Sequence, residues 1–500
     1  MQRATTVAGT ARTATNPFNA FNALLGRGLR TVTHSRARNE TLRRAIAEAG
    51  ISYDRLAADI RDAAAEAGTL LRTNRSAVAH WVAGVAPGPD TAGYIAEALS
   101  RRLGRHFTPA DLGWTGGPGH EKDRADGALG ASIGPDPLDI VRRLGEADIN
   151  RRQIITAAAY SVAAAALPLG TAQAAEARLR ATTTAGRHVG AADIAAVRAM
   201  LQAFTRIDER QGGQHGRTAV VQYLRSDVAD LTRGRFATET DRTDALGTAA
   251  AVTYLCGWKA YDAGEHGLAQ RYYLQALALA RESGHPAHEA WILRTQANSA
   301  MDISRPEHTL DLADAALSLT EGRVEPAYLS LFVITRARAL ALAGRGPEAA
   351  TEIRRAQDLV TRKDEEACEE LPFWAAVWTS RSTANVATNA AKALVSLRDH
   401  ANAERHYTAA ASTFDRVAGR ARVTALSLSD LGRQQAAQGH VEQACSTWGR
   451  ALDYFEGVRS DQAAKQVTGI RRQLKVFERR GVGAATHLDH RARDWQLTHA

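Results

Sequence analysis

Five times between residues 264 and 451 the chain repeats one spacing of residue sizes. Gly264 is followed by Ala269, Tyr273 and Ala276: small, large and small residues at offsets of 5, 9 and 12 from a glycine. The same offsets hold at Gly344, Ala349, Ile353 and Ala356, and at Gly439, Ala444, Trp448 and Ala451. Weaker copies begin at Ser304 (Thr309, Ala313, Ala316) and at Arg398 (Ala403, Tyr407, Ala410), and Ala holds the last position in all five. A unit this short cannot bury its own apolar face, so it must stack on copies of itself. The residue sizes say how. A small residue lets two antiparallel helices approach, the large one fills the space before the next pair, and glycine permits the tight turn.

The small residues at 269, 309, 349, 403 and 444 lie 40, 40, 54 and 41 apart. The long interval contains TRKDEEACEELP, read as an acidic, solvated loop. Residues 190–232 read as an earlier, degenerate pair and 461–480 as a capping helix. The repeat domain is therefore placed at 190–480, with a tail at 481–500. Stacked helix pairs make a solenoid with a concave groove. Over roughly residues 245–457 the offsets resemble tetratricopeptide repeats, although the spacing exceeds that family's usual length of about 34. The resemblance implies an α-solenoid whose groove takes a protein or peptide. No ligand-contacting residue is carried over.

Five hundred residues are too many for one core. Residues 39–115 read as a second, compact helical domain. Asn39, Ser52 and Asn74 are placed to cap helices, with Leu42, Ile46, Leu56 and Ile60 facing inward. A fourth helix begins near Asp90 and turns Tyr94, Ile95, Ala98 and Leu99 inward, and a fifth starts at Thr108-Pro109. The stretch GGPGHEKDRADGALGASIGPDP that follows is rich in Gly, Pro and charge, so residues 116–189 read as a linker carrying one apolar helix.

Within the N-terminal domain, TNRSAVAHWVAG at 73–84 carries the functional question. Asn74 would cap a helix that Gly84 ends; Val78, Trp81 and Val82 would face the core. Arg75, Ser76 and Ala77 would then stand at its exposed start, with His80 one turn later. Arg75 suits a guanine edge, and Ser76 or His80 a phosphate or base. Arg72, Arg43 and Arg44 are candidate phosphate contacts, as are Arg101, Arg102 and Arg105 at the end of another helix. With LAADI before it, the stretch resembles the helix-turn-helix domains of lambda-repressor-like bacterial regulators. It departs from them in two ways. About eleven residues more than the family's turn allows separate Leu56 from Asn74, IRDAAAEAGTLLR being the surplus. Val82-Ala83 also replaces the usual charged pair.

Charge is compatible with that reading. The net charge is +9, and residues 1–115 hold fifteen Arg, no Lys and nine acidic residues. Residues 1–38, with six Arg and no acid, read as a disordered basic arm. Cysteines 256, 368 and 445 are too far apart for a disulfide framework or zinc knuckle and read as reduced thiols in a cytoplasm. The segment 150–174 joins Arg151-Arg152 to an apolar run, like a twin-arginine export signal. Its depth in the chain and Pro168 favour a buried or linker-capping helix without membrane insertion. His285 with His288, and His487 with His490, lack a third metal ligand nearby and read as surface residues. No Walker loop, nucleophile elbow or HExxH motif occurs, so neither an enzyme nor a cofactor is expected.

The expectation is an all-α chain: a small five-helix lambda-repressor-like domain followed by a tetratricopeptide-like solenoid. The combination resembles actinobacterial regulators that repress sporulation and antibiotic production, some of which carry the same extended segment before the recognition helix. That resemblance implies a cytoplasmic homodimer bound to double-stranded DNA, with a protein, peptide or small-molecule signal in the groove. The alternative is a scaffold that regulates through protein binding without touching DNA.

Overall fold

The computed structural model describes residues 38–66, 70–103, 107, 109, 111–114, 130, 131, 133, 136–149, 162–165, 188–362, 382–416 and 420–499. The expected basic arm before Arg38, the acidic loop residues 363–370 and all but 162–165 of the twin-arginine segment lie outside them. Among the described residues the chain is helical, apart from a two-residue parallel pair joining His188–Val189 to Arg235–Phe236. None of these helices is long and apolar enough to cross a membrane.

The N-terminal domain consists of α1 (Glu40–Glu48), α2 (Tyr53–Glu66), α3 (Arg75–Val82) and α4 (Pro89–Leu103). Asn39 Oδ1 accepts from the Leu42 amide at 2.9 Å, and Ser52 Oγ accepts from the Arg55 amide at 3.1 Å. Leu42, Leu56, Ile60, Val78, Ile95 and Leu99 form a closed apolar core. Where a fifth helix was expected, the described residues 109 and 111–113 form a turn. Gly113 at φ +81° ends it, and Asn39 Nδ2 holds the Leu112 carbonyl at 2.7 Å.

Residues 137–149 fall within the expected linker, yet they form α5 (Pro137–Ile149). Its Val141 and Leu144, three apart on one helical face, enter the core of the repeat domain. The short α6 (Val162–Ala165) follows. Then α7 (Ala191–Gln211) is followed by α8 (Arg217–Tyr223), which runs on through a π-turn at Leu224–Val228 to Thr232.

Six helical hairpins come next. They are α9 (Glu239–Asp262) with α10 (His266–Glu282), α11 (Pro286–Asp302) with α12 (Thr309–Ser318), and α13 (Pro326–Leu342) with α14 (Gly346–Thr361). After the undescribed loop come α15 (Ser382–Ser396) with α16 (His400–Asp415), α17 (Ala421–Ala437) with α18 (Val441–Phe455), and α19 (Asp461–Glu478) with α20 (Gly483–His499). The expected boundary at 480 thus falls inside a hairpin. Ala485, Leu488, Ala492 and Trp495 of the expected tail are buried against α18 and α19.

The repeated offsets have a common local structure. All five turn residues, Gly264, Ser304, Gly344, Arg398 and Gly439, have φ between 60° and 88°. In each turn that residue's amide donates to the carbonyl three back, and the next amide to the carbonyl five back, as in Gly264 to Tyr261 and Glu265 to Ala260. This double bond satisfies helix-end carbonyls and sets the return angle. In two of the repeats the large residue at offset 9 lies against a glycine of the previous helix. A Cβ on Gly257 would come within 2.7 Å of the Tyr273 ring, and one on Gly432 within 2.4 Å of the Trp448 indole.

The array also closes on itself. Four charged side chains, each at most 2% exposed, meet where its beginning touches its end: Asp208, Lys259, Asp262 and Arg422. Lys259 Nζ lies 3.1 Å from Asp208, and Arg422 Nη1 lies 2.8 Å from Asp262. Asp262 also accepts from Ser460 Oγ at 2.8 Å and from the Gly213 amide at 2.7 Å. The Arg459 amide donates to the Gln211 carbonyl beside them at 2.9 Å. Two acids and two bases balance, and backbone or hydroxyl donors take up further acceptor positions, so the burial is tolerated.

Candidate nucleic-acid interface and central cavity

Helix α3 is set by its cap and its core face. Asn74 Oδ1 accepts from the Ala77 amide at 3.0 Å. Val78, Trp81 and Val82 are buried, Trp81 at 8% exposure. Gly84, at φ +100°, ends the helix. The opposite arc carries Arg75, Ser76 and His80, all exposed, with Ala77 half-buried between the two faces. Arg72 is exposed just before the cap. Arg75 is 73% exposed and faces Asp54 at 3.8 Å, a surface pair weak enough to exchange for another anion.

The other Arg candidates separate into two groups. Arg43 and Arg44 are exposed on α1, which packs against α3, and Arg43 pairs with Glu40 at 2.7 Å. Arg101 and Arg102 are engaged within the domain. Arg102 forks onto Asp59 at 2.9 and 3.1 Å, and Arg101 holds the buried Glu97 at 2.7 Å. These pairs tie α4 together and to α2. Arg105 lies outside the described residues.

The surplus between Leu56 and Asn74 is mostly helix. It extends α2 to Glu66, with Ala63 and Ala64 buried, and returns through Leu70 to Thr73. Arg61 Nη1 donates to the Thr73 carbonyl at 2.5 Å, one residue before the α3 cap. The lengthened α2 is thereby fastened to the start of α3.

The array and the N-terminal domain together line a cavity of about 1070 Å³ that is partly open to solvent, just above the usual range for ligand pockets. The first helix of every hairpin contributes to its wall: Tyr261, Asp302, Arg338, Lys392, Asp430 and Lys465. Three hairpins converge on one carboxylate. Asp302 accepts from Arg338 at 2.5 Å, Lys392 at 2.9 Å and the Tyr261 hydroxyl at 3.0 Å. Burial opposes charge on Asp302, but Arg338 and Lys392 outweigh it and hold the carboxyl well below its usual range. Two cations on one carboxylate leave a positive charge here, while further along the wall Arg433 is paired with Asp430 at 2.9 Å and Lys465 with Asp461 at 2.7 Å. A side pocket opens beside Tyr261 and His266, where Gln296, 5% exposed, leaves both amide atoms without a hydrogen-bond partner.

Arg338, Lys392 and Arg433 all line the cavity, and each stands six residues before its turn residue, at 344, 398 and 439. This row of cations was legible in the repeat alignment. Reading the offsets only forward from each turn misses it. Of the paired histidines, His487 and His490 are exposed. His288 differs: it packs over Gly247, with the His285 ring 5.1 Å away, and burial, with His285, lowers its pKa to about 3. Among the described residues no three His, Cys, Asp or Glu side chains are grouped as a metal site needs.

Residues 42–115 match the family described as the SP15 N-terminal domain. No curated protein matches the chain.

Proposed function

We propose that the chain is a DNA-binding transcription regulator that reads double-stranded DNA through α3 and receives a signal in the cavity of its helical array. The observation that carries this reading is the capped α3 itself. Its apolar side is committed to the core, and Arg75, Ser76 and His80 are left on an exposed polar arc. Arg75 would read a base edge, Ser76 and His80 would touch base or phosphate, Ala77 would approach the groove wall, and Arg72, Arg43 and Arg44 would hold the backbone. One such domain covers few base pairs, so a homodimer is the working form. The resemblance to actinobacterial repressors of sporulation and antibiotic production supplies the sign of regulation and a cytoplasmic setting. In this reading the two parts are a lambda-repressor-like head and a tetratricopeptide-like solenoid. The row formed by Arg338, Lys392 and Arg433 suits a peptide or small molecule bearing an anionic group.

The scaffold reading has one observation in its favour: the lengthened α2, which alters how α3 would enter a groove. One experiment separates the two. The full chain is bound to fragmented genomic DNA at several salt concentrations beside Arg75→Ala. Saturable binding to a few fragments, weakened by salt and lost in the variant, supports the regulator. Binding that is absent, or equal on all fragments and indifferent to Arg75→Ala, assigns α3 a structural role and leaves the scaffold.

A further inference from the structure

The surplus that lengthens α2 leads directly to the cavity. Ala63 and Ala65 near the end of α2, with Arg101 of α4, line it together with Arg305 and Lys392 of the array. Among the described residues no helix of the N-terminal domain packs extensively on a hairpin helix of the array, so this contact is not welded by common apolar packing. A contact of that kind is separable. Inside the N-terminal domain, by contrast, the connection is stiff. Arg102 forks onto Asp59 of α2, Arg61 holds the Thr73 carbonyl, and the Asn39 amide donates to Val82 at the end of α3. A push on the far end of α2 therefore moves α3 with it. The array, closed by its buried charge cluster, is poorly suited to yield instead.

We propose that the far end of α2 is a lid on the cavity: a ligand at the mouth and the docked N-terminal domain exclude one another. The signal then reaches α3 as release of the domain from the array, not as a change in the array's curvature. Docking leaves Arg75, Ser76 and His80 exposed, so the docked state is the one that offers α3 to DNA in a fixed position. This inference rests on reading the cavity as the ligand site, but its test needs neither ligand nor DNA.

The test measures access to the cavity wall in the full chain. Cys256 and Cys445 are buried. With Cys368→Ser as background, Thr388→Cys places one thiol on the half-buried cavity wall. Its rate of reaction with a bulky maleimide reports how often the lid opens. Ala65 is exposed and lines the cavity, so Ala65→Arg spares the N-terminal core while placing a long side chain where the domain meets the array. A lid open about a tenth of the time or less predicts at least about tenfold faster labelling with Ala65→Arg, and no change with Ala65→Ser. Ala65→Leu, bulky and helix-forming, repeats the displacement without charge if the Arg variant folds poorly. Equal labelling in the parent, Ala65→Arg and Ala65→Leu would overturn the lid. Because no DNA is present, that failure is read apart from a failure of operator binding.

Discussion

The N-terminal domain and the helical array differ in how deeply they bury their charge clusters. In the first, the core is apolar, and the α3 face and α1 carry Arg side chains in weak or exposed pairs, as in Arg75 with Asp54 and Arg43 with Glu40. In the second, Asp208, Lys259, Asp262 and Arg422 lie in the interior, where they join the start of the array to its end. Exposed charge in water contributes little to stability and remains available to a partner. Buried charge costs a great deal to isolate, so it fixes geometry. A domain with exchangeable surface charge beside an array locked by buried charge is the arrangement this contrast produces.

The strongest way to break the contrast is Arg422→Met. The methionine fills part of the volume but leaves Asp262 with only Ser460 and the Gly213 amide as donors, and takes one cation from Asp208. Losing one partner of a buried pair typically costs about 3–5 kcal/mol. Urea unfolding monitored by hydrogen exchange should show that loss in the segment around Leu428, while the segment around Leu99 keeps its own midpoint. Equal shifts in both would show that the two regions unfold as one unit.

A smaller effect of the same kind comes from acid. His266 is lowered to about 4 by burial and then by Lys465, and His288 to about 3 by burial and then by His285. Unfolded, both return to about 6.5. Between those values the unfolded chain binds protons that the folded chain does not. Array stability is therefore full above about pH 6.5 and declines as pH falls toward 4. Urea midpoints at about pH 7.5 and about pH 5 should differ more for the wild type than for His266→Asn/His288→Asn. An equal difference in both proteins would mean that carboxylates set the acid sensitivity.

Local features were readable from the sequence; contacts between distant segments were not. As helix caps Asn39, Ser52 and Asn74 act within three residues of themselves, and the five turn residues within five, so residue type was enough to place them. The buried positions of Ala269, Tyr273 and Ala276 and their copies follow from the same short period. Closure is different. It depends on Arg422 meeting Asp262, 160 residues away, and nothing near either residue marks it as paired. The insertion in α2 was visible as surplus, but its meaning depends on the cavity beside it. The cation row lay between these extremes, periodic and therefore legible, once the first helix of each hairpin is aligned as well as the second.

The smallest and sharpest comparison lies within the array, among its own turns. Gly264, Gly344 and Gly439 occupy left-handed backbone without steric penalty, whereas Ser304 at φ 60° and Arg398 at φ 62° hold it with a Cβ. The left-handed conformation costs a residue with a side chain about 1 kcal/mol, in part recovered because glycine loses more freedom on folding. Ser304→Gly and Arg398→Gly should each stabilise the array by up to about 1 kcal/mol, and Gly344→Ala should destabilise it by a similar amount. Thermal melts of the three variants test the signs together. A Cβ at Gly344 would meet nothing within 4 Å, so its loss would come from backbone conformation alone. Should Arg398→Gly instead destabilise, the Arg398 side chain would have to contribute more than its backbone costs, and the equivalence of the five turns would fail at that hairpin.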